Sequence, residues 1–507
     1  MQIRVLGAGY AGLRAALDLD RWLGDRDAVE ITLIDRHDYH QLVTELHKPA
    51  AGTGSASRLA IPLRDILKGT RIRFCQRAVK DILPDDEAVV LEGGTVLRYQ
   101  RLVVALGSSP EYFAIPGVAE HALTIRSINS ARTIWNRLEW AFRRAAAVGE
   151  GAEREALLTV VVAGGGFTGV ELAGELADRL PVLARDVGAP PEAVRIVTVE
   201  ALPELLSGFS PRLVAEAARA LEEKKVHLVL GAPITRVDEQ GVELEDGRRI
   251  ASRTVIWTGG VRGHPIVERR FPCKGRGRAE VDPFLRSPAY PNVYIIGDAA
   301  FAVDPRTGRP VAPTAQHAIE QGRVAARNIW AGYTGRPLRP YRPINKGIVV
   351  SVGRGVGLAR LGRYDVSGAA PAVLKDAITW LYVYSLGGYR LVLRYALAHL
   401  GEGRDMPRVR GEREVPGKRE GAPAGGRAVG EGAGPSLGER REAGDGHDAA
   451  RAGTRRRLAA FRAGELPPGA DLIFPDPGGD GAAATDRVPL PSGATPRPAA
   501  APEGSGR

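Results

Sequence analysis

Gly7, Gly9 and Gly12 stand in the spacing G-x-G-x-x-G, and Gly164, Gly166 and Gly169 repeat it 157 residues later. Each run follows a short apolar segment, 2–6 or 158–163, and leads into residues with helical apolar spacing. The chemistry such a run serves is specific. The first glycine permits a tight turn, the second lets the backbone approach a pyrophosphate, and the third lets helix and strand pack closely. The phosphates then rest on free N–H groups at the helix start. Tyr10 and Ala11 fill the variable places of the first run, and Thr168 one of those in the second. A second apolar run ends in a carboxylate each time: Asp35, 28 residues after Gly7 and followed by Arg36, and Glu200 after the second run. An acid there accepts from ribose hydroxyls. At Glu200 it also repels a 2′-phosphate, and no arginine follows it directly, so NADH is favoured over NADPH.

Two complete fingerprints imply two bound dinucleotides. A flavin and a nicotinamide are the common pair, because a flavin accepts a hydride from NADH without any protein nucleophile. The elements that must hold them read as two βαβ units: strands at 2–6, 29–34 and 101–106 around a helix at 10–23, then strands at 158–163 and 194–199 around a helix at 168–180. Helices are further predicted at 131–147 and 315–331, strands at 226–230, 254–257 and 293–297, and a polar linker over 149–155. The run 292–299 has the form strand–Gly–Asp–Ala, in which Asp298 is placed to accept from a ribityl hydroxyl.

These motifs resemble the two-dinucleotide-domain flavoproteins: the glycine runs, Ala105-Leu106-Gly107, and Ile296-Gly297-Asp298-Ala299. Within that superfamily, the stretch from Phe167 to Leu176, the turn Trp257-Thr258-Gly259-Gly260-Val261 and the stretch from Pro313 to Gly322 resemble type II NADH dehydrogenases, single-chain NADH:quinone oxidoreductases. The resemblance covers about residues 1–400. It implies an α/β fold of two Rossmann-like domains, the NADH domain inserted in the FAD domain: 1–115 and 282–340 for non-covalent FAD, 116–281 for NADH. A membrane-association segment (341–401) and a disordered tail (402–507) follow. Under the resemblance Val79, Ala105, Gly107 and Ala315 join the flavin site and Gly259 the nicotinamide site. Ala315 and Gln316 lie against the flavin where a quinone docks, Glu171 sits near the nicotinamide–flavin contact, and Lys346 stands close to the flavin and quinone tunnel. Glu320, where the family usually has Gln, adds a carboxylate near the quinone path. Asn345 and Thr44 replace a usual Asp and Pro.

Other chemistries fit less well. Cys75 and Cys273, the two cysteines, are isolated, so neither a C-x-x-C disulfide reductase nor a three-cysteine sulfide:quinone oxidoreductase is expected. A reducing compartment and no signal peptide are expected. His37, His40 and His47 lack the partners and spacing of a metal site. A soluble reductase of a small electron carrier protein and a redox-sensing protein with a partner-recruiting tail remain as alternatives.

The net charge is +11, of which the last 107 residues carry about +1. No Asp or Glu lies between Glu320 and Asp365, while nine Arg and Lys do. Basic residues near a lipid surface contribute about 1 kcal/mol each. The next segment, 373–399, is apolar and aromatic, with Trp380, Tyr382, Tyr384 and Tyr389 suited to the headgroup level. Its charges Lys375, Asp376, Arg390 and Arg394 argue against a span. The expectation is peripheral attachment to anionic lipid at the cytoplasmic face of a membrane. Nucleic acid is not expected, and a homodimer is a second use for the same face. After Gly401, Gly, Ala, Pro, Arg and Glu dominate, and Arg455-Arg456-Arg457 reads as a solvated run.

Overall fold

The computed structural model describes residues 1–400; the tail expected over 402–507 lies outside them. In chain order, β1 (Gln2–Leu6), α1 (Tyr10–Leu23), β2 (Glu30–Asp35), β3 (Arg73–Gln76) and β4 (Arg101–Val104) come first. Then follow β5 (Ser108–Pro110), β6 (Leu123–Thr124), α2 (Ile128–Ala147), β7 (Thr159–Ala163), α3 (Phe167–Val187), β8 (Arg195–Val199), β9 (Val226–Val229), β10 (Thr254–Trp257) and β11 (Val261–Gly263). β12 (Val293–Ile295), α4 (Ala315–Tyr333), β13 (Ile348–Ser351), β14 (Gly357–Leu361), β15 (Tyr364–Gly368) and α5 (Ala369–Leu400) complete the functional part.

Two parallel five-stranded sheets carry the two fingerprints. Their orders are β12-β4-β1-β2-β3 and β6-β10-β7-β8-β9. The sequence repeat is thus a structural repeat, with β1, β2, β3 and β4 matching β7, β8, β9 and β10. β1 and β7 read as nearly unbroken apolar runs because a helix or loop covers each face of a parallel sheet. β12 returns to the first sheet after the second is complete, and β5 pairs antiparallel with β11 where the chain leaves and comes back. β13–β15 form an antiparallel sheet on which α5 packs.

Several boundaries differ from the sequence expectation. The strand at 293–297 stops at Ile295, because Gly297 turns the chain at φ +71°. The helix expected at 168–180 runs through Pro181 to Val187 and ends at Gly188 in the left-handed conformation. Part of the polar linker, Ala152–Leu158, is helical, with Leu157 and Leu158 buried. α5 bends at Gly387 and Gly388, and the φ/ψ of +64°/−160° at Gly388 suits glycine alone. No helix among the described residues is long and apolar enough to cross a membrane.

Candidate active site

The two glycine turns are built alike. Gly7 and Gly164 have φ of +96° and +117°. A Cβ on Gly12 would lie 1.9 Å from the Gly7 carbonyl oxygen, and one on Gly169 1.8 Å from that of Gly164. The third glycine is therefore required for strand and helix to meet. Gly9 and Gly166 are the N-cap residues of α1 and α3 and have no side chain to cap the helix, unlike Ser127 before α2 and Thr314 before α4. A Cβ on either would meet nothing within 4 Å. Open space beside uncapped N–H groups is the cradle a pyrophosphate fits. Ala105 abuts the first turn and the Thr258–Gly259 peptide the second, each within 3.0 Å of a Cβ placed on Gly7 or Gly164.

The acids do more than the sequence indicates. Asp35 Oδ2 accepts from the Ala8 amide (2.6 Å) and Glu200 Oε2 from the Gly165 amide (2.5 Å). Their other oxygens accept from the His37 and Leu202 amides. Each carboxylate locks the turn that precedes it and keeps further lone pairs for a ribose. Tyr10 and Arg36 flank this end, Arg36 exposed beside Asp35. The Arg77 amide donates to the Asp35 carbonyl, two residues before Val79 opens a strand that pairs with 88–91. Gly107 turns the chain after β4, and Thr168 is exposed in the first turn of α3.

Asp298 lies beyond β12, where its carboxylate accepts from Ser108 Oγ at 3.0 Å. Burial pushes this carboxyl above its usual range. Arg126 donates to the Ser108 carbonyl, and burial lowers the affinity of its guanidinium for the proton. Neither Ser108 nor Arg126 carries a sequence signal, because Rossmann patterns do not name the residues of the loop that crosses between domains.

α4 starts at Ala315 and lies on α1 so closely that a Cβ on Gly322 would sit 2.4 Å from the Ala11 carbonyl oxygen. Gln321 ties it to the Asp298 turn through the Gly297 amide, 2.7 Å. The segment 341–347 crosses its first turns. Gln316 donates to the Ile344 carbonyl, and Glu320 Oε2 accepts from the Ile344 amide at 3.2 Å. Lys346 Nζ stands 3.8 Å from Glu320 Oε1, and His317 Nδ1 3.7 Å from Oε2. Burial alone would raise the Glu320 carboxyl, but His317, the Ile344 amide and Lys346 outweigh it and hold it below the usual range. Gln316, Glu320 and Lys346 are thus brought together at one place.

Glu171 is not among them. It is buried in a separate cluster that joins α3, α5, β13 and the segment after His40. Lys375 Nζ donates to Glu171 Oε1 (2.6 Å) and Ser351 Oγ (3.0 Å) and stands 3.2 Å from His47 Nε2; His47 Nδ1 is 3.4 Å from Glu171 Oε2. Burial pushes the Glu171 carboxyl up, and Lys375 offsets only part of this; burial and the two lysines push His47 down. In the sequence, Lys375 stands out only as a charge that argues against a membrane span. Its partners lie up to 328 residues away, so no local pattern could reveal them.

α5 also revises the aromatic expectation. Tyr384 and Tyr389 are exposed, but Trp380 packs edge-on against Tyr395 and Tyr382 turns inward onto His40. Only half of that aromatic set points outward. The basic stretch is likewise partly engaged: Arg336 lies over Trp330, and Arg360 pairs with Asp365.

The model for the pyridine nucleotide-disulphide oxidoreductase family matches residues 1–322. A type II NADH:quinone oxidoreductase of Staphylococcus saprophyticus is 33% identical over 78% of this chain and 98% of its own length. One from Staphylococcus aureus is 34% identical over the same shares. The chain belongs to this family. Among solved structures, NDH2 from Plasmodium falciparum in complex with NADH has a TM-score of 0.70, covering 80% of this chain and 99% of that one at 18% identity. The sulfide:quinone oxidoreductase of Aquifex aeolicus has a TM-score of 0.63 at 18% identity, covering 79% and 95%. Both likenesses concern the fold. In this type II enzyme Cys75 and Cys273 are free, and burial pushes the Cys273 thiol up to about 11. Such a thiol is a poor nucleophile at neutral pH.

Proposed function

We propose that this enzyme transfers a hydride from NADH to FAD and then electrons to a membrane quinone, without pumping protons. The net reaction is NADH + H⁺ + quinone → NAD⁺ + quinol. The observation that carries this reading is the pair of uncapped glycine turns, each locked by its own acid, with α4 lying directly on α1. FAD, when bound, supplies the two-electron exchange between nicotinamide and quinone. Residues 1–115 and 282–340 are proposed as its domain, with Gly7, Gly9, Gly12, Asp35, Ala105 and Asp298 holding it. Residues 116–281 are proposed for NADH, with Gly164, Gly166, Gly169, Glu200 and Gly259.

The chain's own groups then manage the proton. Glu171 and Lys375 share one buried polar cluster where α3 meets α5, and the raised Glu171 carboxyl suits it to hold a proton between turnovers. Gln316, Glu320 and Lys346 line the acceptor approach. Val373, Leu381, Tyr384, Tyr389, Leu393 and Leu397 form the exposed apolar side of α5, which supports peripheral attachment to a bilayer that holds the quinone. NADH is a cytoplasmic reductant, so the cytoplasmic face is proposed. Stopped-flow mixing with NADH should bleach the flavin absorbance, and a second mixing with a soluble quinone should restore it. Bleaching without recovery on any quinone overturns the acceptor assignment.

A further inference from the structure

Comparison of the two glycine turns exposes one difference. In both, the middle residue's amide is held by the acid after the next strand. In the second, the carbonyl of that residue, Gly165, accepts from the Leu206 amide at 2.9 Å, a backbone group of the same domain. In the first, the matching carbonyl is that of Ala8, and it is held instead by a side chain, His40 Nδ1 at 2.9 Å. A carbonyl can only accept, so Nδ1 carries the proton. His40 is fully buried, and burial pushes its pKa down to about 4, so the ring is neutral and Nε2 is an acceptor. The Tyr382 hydroxyl donates to it at 2.9 Å. Tyr10, inside the fingerprint, packs at a tilt on the same tyrosine, ring centres 4.7 Å apart, and meets the His40 ring edge-on at 5.1 Å. Tyr382 comes from α5, 342 residues beyond His40.

We propose that Tyr382 is a positioning residue for the flavin: through His40 it fixes the Ala8 carbonyl, and with it the peptide planes that present the first fingerprint to its dinucleotide. The inference rests on the proposed FAD assignment of that fingerprint. The hydroxyl selects one tautomer of His40, because a ring whose Nε2 accepts must donate from Nδ1. Without it, Nε2 is buried without its donor, the ring loses the contact that orients it, and Nδ1–H is held less firmly against the Ala8 carbonyl. The matching carbonyl of the nicotinamide turn, held by a backbone amide, has no such dependence. The Tyr382 hydroxyl therefore bears on retention of one cofactor and not the other.

The test uses the full-length holoprotein and Tyr382→Phe, which keeps the ring contacts and removes the hydroxyl. FAD release on dilution, read by its fluorescence, should give a Kd about five-fold weaker, the effect of one neutral hydrogen bond. NAD⁺ affinity, read by quenching of tryptophan fluorescence, should not move. The same change is then made in a His40→Gln background, where an amide N–H can donate to Ala8 without help. There Tyr382→Phe should add nothing. Unchanged FAD affinity in the single variant overturns the proposal, as does an equal loss of FAD and NAD⁺, or an equal loss in both backgrounds. Wild-type protein that carries no FAD would overturn the assignment of the fingerprint, and the inference with it.

Discussion

Replacing Lys375 by Met removes an ammonium with three buried neighbours while keeping its aliphatic volume. Glu171 is then left with the Ser351 amide at 3.3 Å and the His47 ring at 3.4 Å. Removing one partner of a buried ion pair typically costs about 3–5 kcal/mol, because the survivor is a charge without compensation. With an unfolding entropy of about 2.1 cal/mol/K per residue over roughly 400 residues, that corresponds to a fall of about 4–6 °C in Tm. The pH dependence has a definite sign. Burial already raises the Glu171 carboxyl, and Lys375 is the main influence that opposes it. Without Lys375 the folded-state pKa rises further above its unfolded value. A raised pKa contributes stability that is present below the unfolded pKa and lost as pH rises through the folded one. The variant should therefore lie close to wild type near pH 5 and fall progressively behind toward pH 8. Melting followed by circular dichroism at several pH values, on FAD-saturated protein, reads this directly. A deficit of the same size at pH 5 and pH 8 would refute the reasoning, since it would mean that Glu171 stays ionised or finds another partner.

Heat-denatured protein should release one FAD per chain, identified by chromatography; FMN alone would contradict the first site. Changing Glu200 to Gln should lower the NADH/NADPH ratio of kcat/KM and weaken both substrates, because an amide NH₂ cannot accept from the Gly165 or Leu202 N–H that the carboxylate now satisfies; an unmoved ratio would show that another residue reads the ribose. Gln316→Ala should slow flavin reoxidation by quinone far more than flavin reduction by NADH, and equal losses would sink that assignment. Wild type should float with anionic liposomes, less so in high salt, since surface charges are screened within about 10 Å at 0.1 M. Leu381→Asp with Leu393→Asp should abolish flotation while the flavin spectrum is kept, and a floating variant would assign the face to a protein contact such as a dimer. A chain cut at Ala372 is a poorer test, because it also removes Lys375 and Tyr382 from the interior.

The sequence by itself determined the two dinucleotide turns, because each is a local device: a strand, three glycines, a helix and an acid within about forty residues. Their steric need is visible in residue type alone, since no side chain fits where a Cβ would strike the Gly7 or Gly164 carbonyl. The insertion of one dinucleotide domain in the other, visible in the return of β12 to the first sheet, followed from the resemblance, while the order of strands in each sheet did not. The tertiary structure decided what depends on distant segments meeting. α5 was legible as an apolar, aromatic stretch, and its charges were read as obstacles to a span. Folding sends Lys375 inward to Glu171, and Tyr382 to His40, because a buried carboxylate and a buried imidazole each require a partner that their own segments do not offer. Which aromatics face outward was likewise set by packing: Trp380 finds Tyr395, while Tyr384 and Tyr389 stay exposed at the surface, Tyr389 with only Arg390 over its ring among the described residues.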